Sequence, residues 1–93
     1  MQINVNDINL FYTCHGVGEP LIMLHGNGED HTIFDEAVDV LSKKFRVYAI
    51  DTRDHGQSDK VEELHYDDMA EDIRLFIESL QLEKPILYGF SDG

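Results

Sequence analysis

The chain has 93 residues and a formal net charge of −12, from 7 Lys and Arg against 19 Asp and Glu. This length predicts a single domain. The acidic balance disfavours nucleic acid as a partner, because phosphate contacts need clustered cations, and it also disfavours anionic membrane surfaces. The lone cysteine, Cys14, excludes an internal disulfide, and we expect a cytoplasmic protein without a signal peptide or a membrane span.

The first predicted element is a β-hairpin over residues 3–12. Apolar and polar residues alternate on both sides of Asn6-Asp7, a pair that favours a tight turn, and Cys14 continues the second strand. Residues 16–20 are predicted as a loop. The continuous apolar run over residues 21–24 then predicts a strand that is buried on both faces.

Two helices and two further buried strands are predicted to follow. Apolar residues at helical spacing predict a helix that Asp30 or Thr32 caps and that runs to Leu41, and a second helix that has Asp67 and Asp68 at its start. The strands are predicted over residues 45–50 and 85–88. Strands that alternate with helices predict the α/β class, with a mainly parallel sheet and the hairpin as its antiparallel edge.

Three loops leave the carboxyl ends of the predicted parallel strands, at residues 25–30, 51–58 and 89–93. Because ligands bind beyond these ends in open α/β sheets, we expect the three loops to meet in space. Within the polar loop over residues 51–58, His55 is expected to be solvated. Arg53 is expected to pair with a nearby acid in a structural role.

Two of these loops carry residues suited to acyl-transfer chemistry. Gly89-Phe90-Ser91-Asp92-Gly93 matches G-x-S-x-G, whose glycines permit a sharp turn that pushes the serine hydroxyl out of the sheet. His25-Gly26-Asn27-Gly28 offers backbone N–H groups that can stabilise a developing negative charge. Each pattern has a non-catalytic interpretation as well, namely a glycine-rich strand end and an ordinary β-to-α connection.

Taken together, the three loops resemble those of the α/β-hydrolase family, and the resemblance covers the whole chain. His25-Gly26 matches the start of the family's oxyanion loop, and residues 89–93 match its nucleophile elbow. Residues 51–58 match its D-x-R-G-x-G-x-S stretch, except that Asp54 replaces the first glycine. If that position needs a positive φ, the substitution predicts a local change in the path of the loop.

The resemblance implies that Ser91 is the nucleophile and that the backbone N–H groups of Asn27 and Asp92 hold the oxyanion. The residues that shape the supporting loops are then His25, Gly26, Gly28, Gly89 and Gly93. In the family, the catalytic acid and histidine follow the serine, whereas all five histidines of this chain precede it. We therefore expect residues 1–93 to be the amino-terminal portion of one hydrolase domain, inactive alone, that acts on ester, amide or related acyl small molecules.

Two alternatives stay open at this point. The same fold also supports cofactor-free haloperoxidases, lyases and C–C bond hydrolases. A non-catalytic short product would instead self-associate, or pair with a complementary piece, through the edge of its last strand over residues 85–88. No metal and no cofactor are predicted, because the histidines lack metal-ligand spacing and no phosphate-binding glycine motif is present.

Overall fold

The structure is a computed structural model that describes residues 1–90. Its strands form one sheet in the order β1-β2-β4-β3-β5. The strands are β1 (Gln2–Val5), β2 (Ile8–His15), β3 (Glu19–Leu24), β4 (Phe45–Ile50) and β5 (Ile86–Gly89). A 3₁₀ turn (His31–Phe34) leads directly into helix α1 (Asp35–Leu41), and the second helix is α2 (Tyr66–Ser79).

The predicted hairpin is formed by β1 and β2, which pair antiparallel, and Cys14 lies in β2. Its turn is Asn6-Asp7, with φ values of 51° and 65°. Asn and Asp tolerate such positive φ values better than most residues, and positive φ at both central positions matches the twist of the flanking strands. β2 also pairs antiparallel with β4, whereas β3 pairs parallel with both β4 and β5. The α/β class and the antiparallel edge are thus confirmed.

The central strands are buried on both faces, as the apolar runs predicted. Ile22 and Met23 are neighbours in β3, and the pleat of the strand sends their side chains to opposite sides. Ile22 joins a core with the hairpin and with Phe76 of α2. Met23 joins a second core with Val38 of α1. The sheet is therefore a middle layer, and its carboxyl edge is the place where loops are free to form a site.

The structure differs from the predicted bounds at three places, one of which is β5, which runs over Ile86–Gly89 and not over residues 85–88. β3 already begins at Glu19, inside the predicted loop, because Glu19 and Pro20 lie in register with β4. The first helical segment starts as a 3₁₀ turn that Asp30 caps, since its carboxylate accepts the backbone N–H of Thr32. Regular α-helix begins only at Asp35. Asp30 is therefore the cap, and Thr32 is its donor.

The prediction that the last strand is buried is wrong. Among residues 1–90, β5 pairs with β3 alone and forms an edge of the sheet, so Ile86, Leu87 and Tyr88 are 43%, 55% and 48% exposed. Its free edge, by contrast, matches the expected exposed last strand. No helix within residues 1–90 combines the length and hydropathy needed to cross a bilayer.

Candidate active site

The carboxyl ends of the three parallel strands lie side by side. Leu24 of β3 is in register with Ile50 of β4 and with Gly89 of β5. The backbone N–H of Phe90 donates to the carbonyl oxygen of Leu24 at 2.9 Å, so the chain still follows β3 at its last described residue. The expected convergence of the three loops is therefore confirmed as far as Phe90.

Part of the predicted site lies beyond this point. Ser91, Asp92 and Gly93 lie outside the described residues, so the nucleophile, one oxyanion donor and the last elbow glycine stay predictions. The described parts of the site are the loop over residues 25–30, the loop over residues 51–58 and the end of β5 at Gly89.

His25 fastens the start of the first loop to the second loop. The side chain is buried, and its Nε2 accepts the backbone N–H of Thr52 at 3.1 Å. Its Nδ1 lies 2.7 Å from the carbonyl oxygen of Gly26. Because a carbonyl oxygen only accepts, the proton of the neutral ring belongs on Nδ1, which leaves the Nε2 lone pair for Thr52.

His55 makes the same kind of bond in the opposite direction. Its Nε2 accepts the backbone N–H of Gly28 at 3.0 Å, and its Nδ1 lies 2.9 Å from the carbonyl oxygen of Arg53. The proton again belongs on Nδ1. The expectation that His55 is solvated is wrong, because the residue is only 9% exposed and packs with its ring centroid 5.0 Å from that of His25.

Three backbone N–H groups of the loop over residues 25–30, those on either side of Asn27 and that of Glu29, are bound by acceptors. The backbone N–H of Gly26 donates to Oε1 of Glu29 at 2.9 Å, and that of Gly28 is bound by His55. The backbone N–H of Glu29 returns to the carbonyl oxygen of Gly26 at 3.2 Å. Between them, the backbone N–H of Asn27 has no hydrogen-bond acceptor among residues 1–90, and the residue is exposed.

Asp51 connects the two loops from within the protein. Its Oδ1 accepts the backbone N–H of His31 at 2.7 Å and lies 2.8 Å from Nδ1 of the same residue, while Oδ2 accepts the backbone N–H of Gln57 at 2.9 Å. The carboxylate is fully buried. Both of its oxygens are therefore used in holding the backbone of the loops that flank the site.

Asp54 has a positive φ although it replaces the glycine of the family motif. Its φ is 68°, so the substitution does not remove the positive φ. Asp54 also braces the loop, because Oδ1 accepts the backbone N–H of Val61 at 3.1 Å and its own backbone N–H donates to the carbonyl oxygen of Asp59 at 2.8 Å. Asp is among the few non-glycine residues that adopt this region locally.

Arg53 has the structural role that the sequence predicted. Its guanidinium is buried against the carboxylate of Asp72 in α2, with Nη1 3.7 Å from Oδ2 of Asp68. The hydrogen bonds that Arg53 donates to Asp72 hold the pKa of Arg53 above its usual range. Since the carbonyl oxygen of Arg53 also fixes His55, this ion pair supports the site indirectly.

One group of side chains has a composition suited to metal binding. Within residues 1–90, ligand atoms of Asp30, His31 and Asp51 lie within 4.8 Å of one another, a grouping that sequence spacing did not indicate. Both carboxylates already accept hydrogen bonds, that of Asp51 from His31 and Gln57, and that of Asp30 from Thr32. These bonds account for the cluster without an ion.

Two open cavities adjoin the loops. A polar one of about 680 Å³ is lined by Asn27, Gly28, Glu29, Asp54 and His55, together with Leu64. An apolar groove of about 730 Å³ runs between β5 and the first helical segment, with Phe34, Tyr88 and Phe90 in its walls. The Asn27 backbone thus lies beside a space large enough for a small molecule.

Comparison with known proteins identifies the family. The family model described as alpha/beta hydrolase fold matches residues 19–93. The chain belongs to the α/β-hydrolase family. It is 43% identical over 88 residues to the AB hydrolase superfamily protein YisY of Bacillus subtilis. This alignment covers 92% of this chain and 33% of that protein. It is 33% identical over 73 residues to 3-oxoadipate enol-lactonase 1 of Acinetobacter baylyi, covering 78% and 27% respectively.

A solved structure of an epoxide hydrolase from Bacillus megaterium, in a mutant form with its diol product, shows the same α/β-hydrolase architecture. It matches with a TM-score of 0.89 and 35% identity, over 96% of this chain and 32% of that one. The chain therefore spans about a third or less of the length of the relatives it matches.

The positions of the loops could be predicted from the sequence, but the contacts that hold them could not. The role of His55 as an acceptor for Gly28 left no local signal, because its partner is 27 residues away. No sequence pattern indicated that the carboxylate of Asp51 is buried and binds backbone N–H groups either. Glu29, three residues after Gly26, is the one contact that a short-range pattern could have suggested.

Proposed function

We propose that this chain supplies the nucleophile and the oxyanion loop of a serine hydrolase that acts on small esters, amides or related acyl compounds. Ser91 is the nucleophile, and the backbone N–H groups of Asn27 and Asp92 hold the oxyanion. One observation carries the proposal. The Asn27 N–H lacks an acceptor within residues 1–90, at the edge of the sheet where Phe90 leads into Ser91, although the N–H groups of Gly26 and Gly28 are both bonded.

In the proposed reaction, the Oγ of Ser91 attacks the carbonyl carbon of the substrate, and the C=O electron pair moves onto oxygen. Two amide donors stabilise that oxyanion, and removal of one such donor typically costs about 3 kcal/mol of transition-state stabilisation. The serine proton passes to a general base and then to the leaving group. Water next attacks the acyl-enzyme, releases the acid and restores the hydroxyl.

The general base of this scheme is neither His25 nor His55. The Nε2 lone pairs of His25 and His55 accept backbone N–H groups, and each Nδ1 is turned to a carbonyl oxygen. Neither ring has a free lone pair to take a proton from a serine. We therefore propose that residues following position 93 supply the base and its acid partner, and that residues 1–93 alone have no turnover.

The proposed substrate class is the narrower part of the assignment. One relative is named an enol-lactonase, and a lactone is a cyclic ester, so this name supports ester hydrolysis. A solved structure is named an epoxide hydrolase, and an epoxide is a cyclic ether that has no acyl group. Haloperoxidase, lyase and C–C bond hydrolase chemistry are the alternatives on this fold. A panel that compares release of acid from p-nitrophenyl esters with halogenation and C–C cleavage assays distinguishes them.

The deciding experiment replaces Ser91 by Ala in the protein made from the whole reading frame. Loss of a triad nucleophile typically lowers kcat by a factor on the order of 10⁶, and we expect a loss of this scale. Ser79→Ala, at the exposed end of α2, is the matched control and should keep full activity. Both variants should unfold at the urea concentration of the wild type. Turnover retained in Ser91→Ala would reject the assignment.

A second candidate function is pairing through the exposed edge of β5. Ile86, Leu87 and Tyr88 are all more than 40% exposed there, and an unpaired strand edge is a template for another strand. Sedimentation of the 93-residue chain over a concentration series tests this candidate. Self-association that Leu87→Lys removes and Val40→Lys, on exposed α1 surface, leaves intact would support it, and a monomer throughout would reject it.

A further inference from the structure

We propose that His55 is a positioning residue for the oxyanion loop: it fixes the backbone at Gly28 and thereby presents the N–H of Asn27 to the reacting carbonyl. This inference rests on the proposed function. His55 itself does not touch the substrate carbonyl in this account. Its action passes through one hydrogen bond, from the backbone N–H of Gly28 to Nε2, over 3.0 Å.

The acceptor role of His55 is fixed by its other ring nitrogen. Nδ1 faces the carbonyl oxygen of Arg53 at 2.9 Å, and that oxygen needs a donor. The ring therefore carries its proton on Nδ1 and presents a lone pair at Nε2. Arg53 in turn donates two hydrogen bonds to Asp72 in α2. The imidazole is therefore connected to this helix through Arg53.

The Gly28 backbone needs such an anchor. Its φ is 81°, and a Cβ placed there would meet no atom within 4 Å, so packing does not restrain the loop at this residue. Glycine moves between backbone regions at little cost, and only hydrogen bonds remain to define the conformation. On the other side of Asn27, the carboxylate of Glu29 holds the N–H of Gly26 at 2.9 Å. Asn27 is thus held from both sides.

The bond to His55 also decides which amide is available. With the N–H of Gly28 bound to Nε2, Asn27 has the donor without an acceptor within residues 1–90 that lies between the bound N–H groups of Gly26 and Gly28. Loss of the imidazole acceptor frees Gly28, so two adjacent amides compete for the oxyanion and the loop loses its fixed geometry. A misplacement of about 1 Å in a catalytic group can lower the rate about 100-fold.

Two variants separate the acceptor from the bulk of the side chain. His55→Phe keeps a flat ring but has no acceptor, whereas His55→Gln keeps an oxygen that can accept from Gly28. In the protein made from the whole reading frame, we expect His55→Phe to lower kcat on p-nitrophenyl acetate about 10- to 100-fold with little change in KM. His55→Gln should recover most of that loss. Unchanged kcat in His55→Phe, or equal losses in both variants, would overturn the proposal.

The hydrogen bond is also measured without reference to activity. In the uniformly ¹⁵N-labelled protein made from the whole reading frame, a coupling across the hydrogen bond between the Gly28 amide nitrogen and His55 Nε2 is expected, together with a proton on Nδ1. Absence of this coupling, or a proton on Nε2, would overturn the proposal even if Ser91 is the nucleophile. Conversely, an active Ser91→Ala variant would reject the proposed function while leaving the coupling in place.

Discussion

Arg53 and Asp72 form a buried ion pair that joins the loop after β4 to helix α2. Nε donates to Oδ2 at 2.7 Å, and Nη2 donates to Oδ1 at 2.8 Å. Oδ1 also accepts from Nδ2 of Asn6 at 3.0 Å, so one carboxylate connects the hairpin turn, the loop and the helix. Because His55 is bonded to the carbonyl oxygen of Arg53, the position of the candidate site depends on this pair.

Replacement of Asp72 by Asn should therefore destabilise the protein strongly. Breaking a buried pair leaves an uncompensated guanidinium, which typically costs about 3–5 kcal/mol. Urea unfolding measures the loss. Asp68→Asn is the matched control, because its Oδ2 lies 3.7 Å from Nη1 of Arg53 and its side chain is 46% exposed. The control should lose less than about 1 kcal/mol. Equal losses in the two variants would contradict the role given to Asp72.

The conformation of Asp54 predicts an unusual order of tolerance. Asp54→Gly and Asp54→Ala both lose the hydrogen bond to the backbone N–H of Val61, but only Ala keeps a Cβ at the φ of 68°. We expect Ala to be less stable than Gly by about 1–2 kcal/mol. Thermal unfolding of the two variants gives the difference directly. If Ala equals or exceeds Gly in stability, the backbone at this position does not have the positive φ described.

Gly56 should not accept a side chain. Its φ is 50°, and an added Cβ would collide with the carboxylate of Asp51, which three hydrogen bonds hold in place. Gly56→Ala should cost about 2–4 kcal/mol from strain and overpacking together. Gly28→Ala is the control, since it has a comparable positive φ in open space and should lose only about 1–2 kcal/mol. A smaller loss in Gly56→Ala than in Gly28→Ala would be inconsistent with the structure.

Asp30 should contribute stability that depends on pH. Hydrogen bonds from the Thr32 hydroxyl and backbone N–H hold the pKa of Asp30 below its ordinary value. A lowered folded-state pKa means that the contribution is present above the unfolded-state pKa and is lost as the pH falls through the folded-state value. Asp30→Ala should therefore cost about 1 kcal/mol at neutral pH, and the gap should narrow below about pH 4.

Urea unfolding of Asp30→Ala and wild type between pH 7 and pH 3 measures that gap. Thr32→Val removes the hydroxyl donor but keeps the backbone N–H. The difference in unfolding free energy between wild type and Thr32→Val should therefore be smaller than that between wild type and Asp30→Ala, and it should also narrow as the pH falls. A gap that widens as the pH falls would contradict the assignment of Asp30 as a charged cap.

Much of the fold could be predicted because its signals are local. Asn6-Asp7 predicted the hairpin turn, and the apolar runs around Ile22 and Tyr48 predicted strands that are buried on both faces. The meeting of the loops at one edge followed from the parallel order of the strands, and the register of Leu24 with Gly89 bears it out.

The remaining features depend on partners that are distant in the sequence. The sequence around His55 predicts a solvated loop residue. Its ring is in fact held by the backbone N–H of Gly28 on one side and the carbonyl oxygen of Arg53 on the other. The exposure of Leu87 follows from the edge position of β5, which composition alone does not reveal, since an apolar strand is equally consistent with a central place. Asp54 stands where the family pattern has glycine and nevertheless has a positive φ, which the residue type did not predict.

We propose above all that Ser91 is the nucleophile and that residues outside 1–93 activate it. Labelling with a fluorophosphonate probe, mapped by peptide mass spectrometry, tests this claim most directly when the 93-residue chain is compared with the protein made from the whole reading frame. We expect the longer protein to carry the adduct on Ser91 and the 93-residue chain to carry none. An adduct on a different residue of the longer protein, or one on Ser91 of the 93-residue chain, would contradict the account.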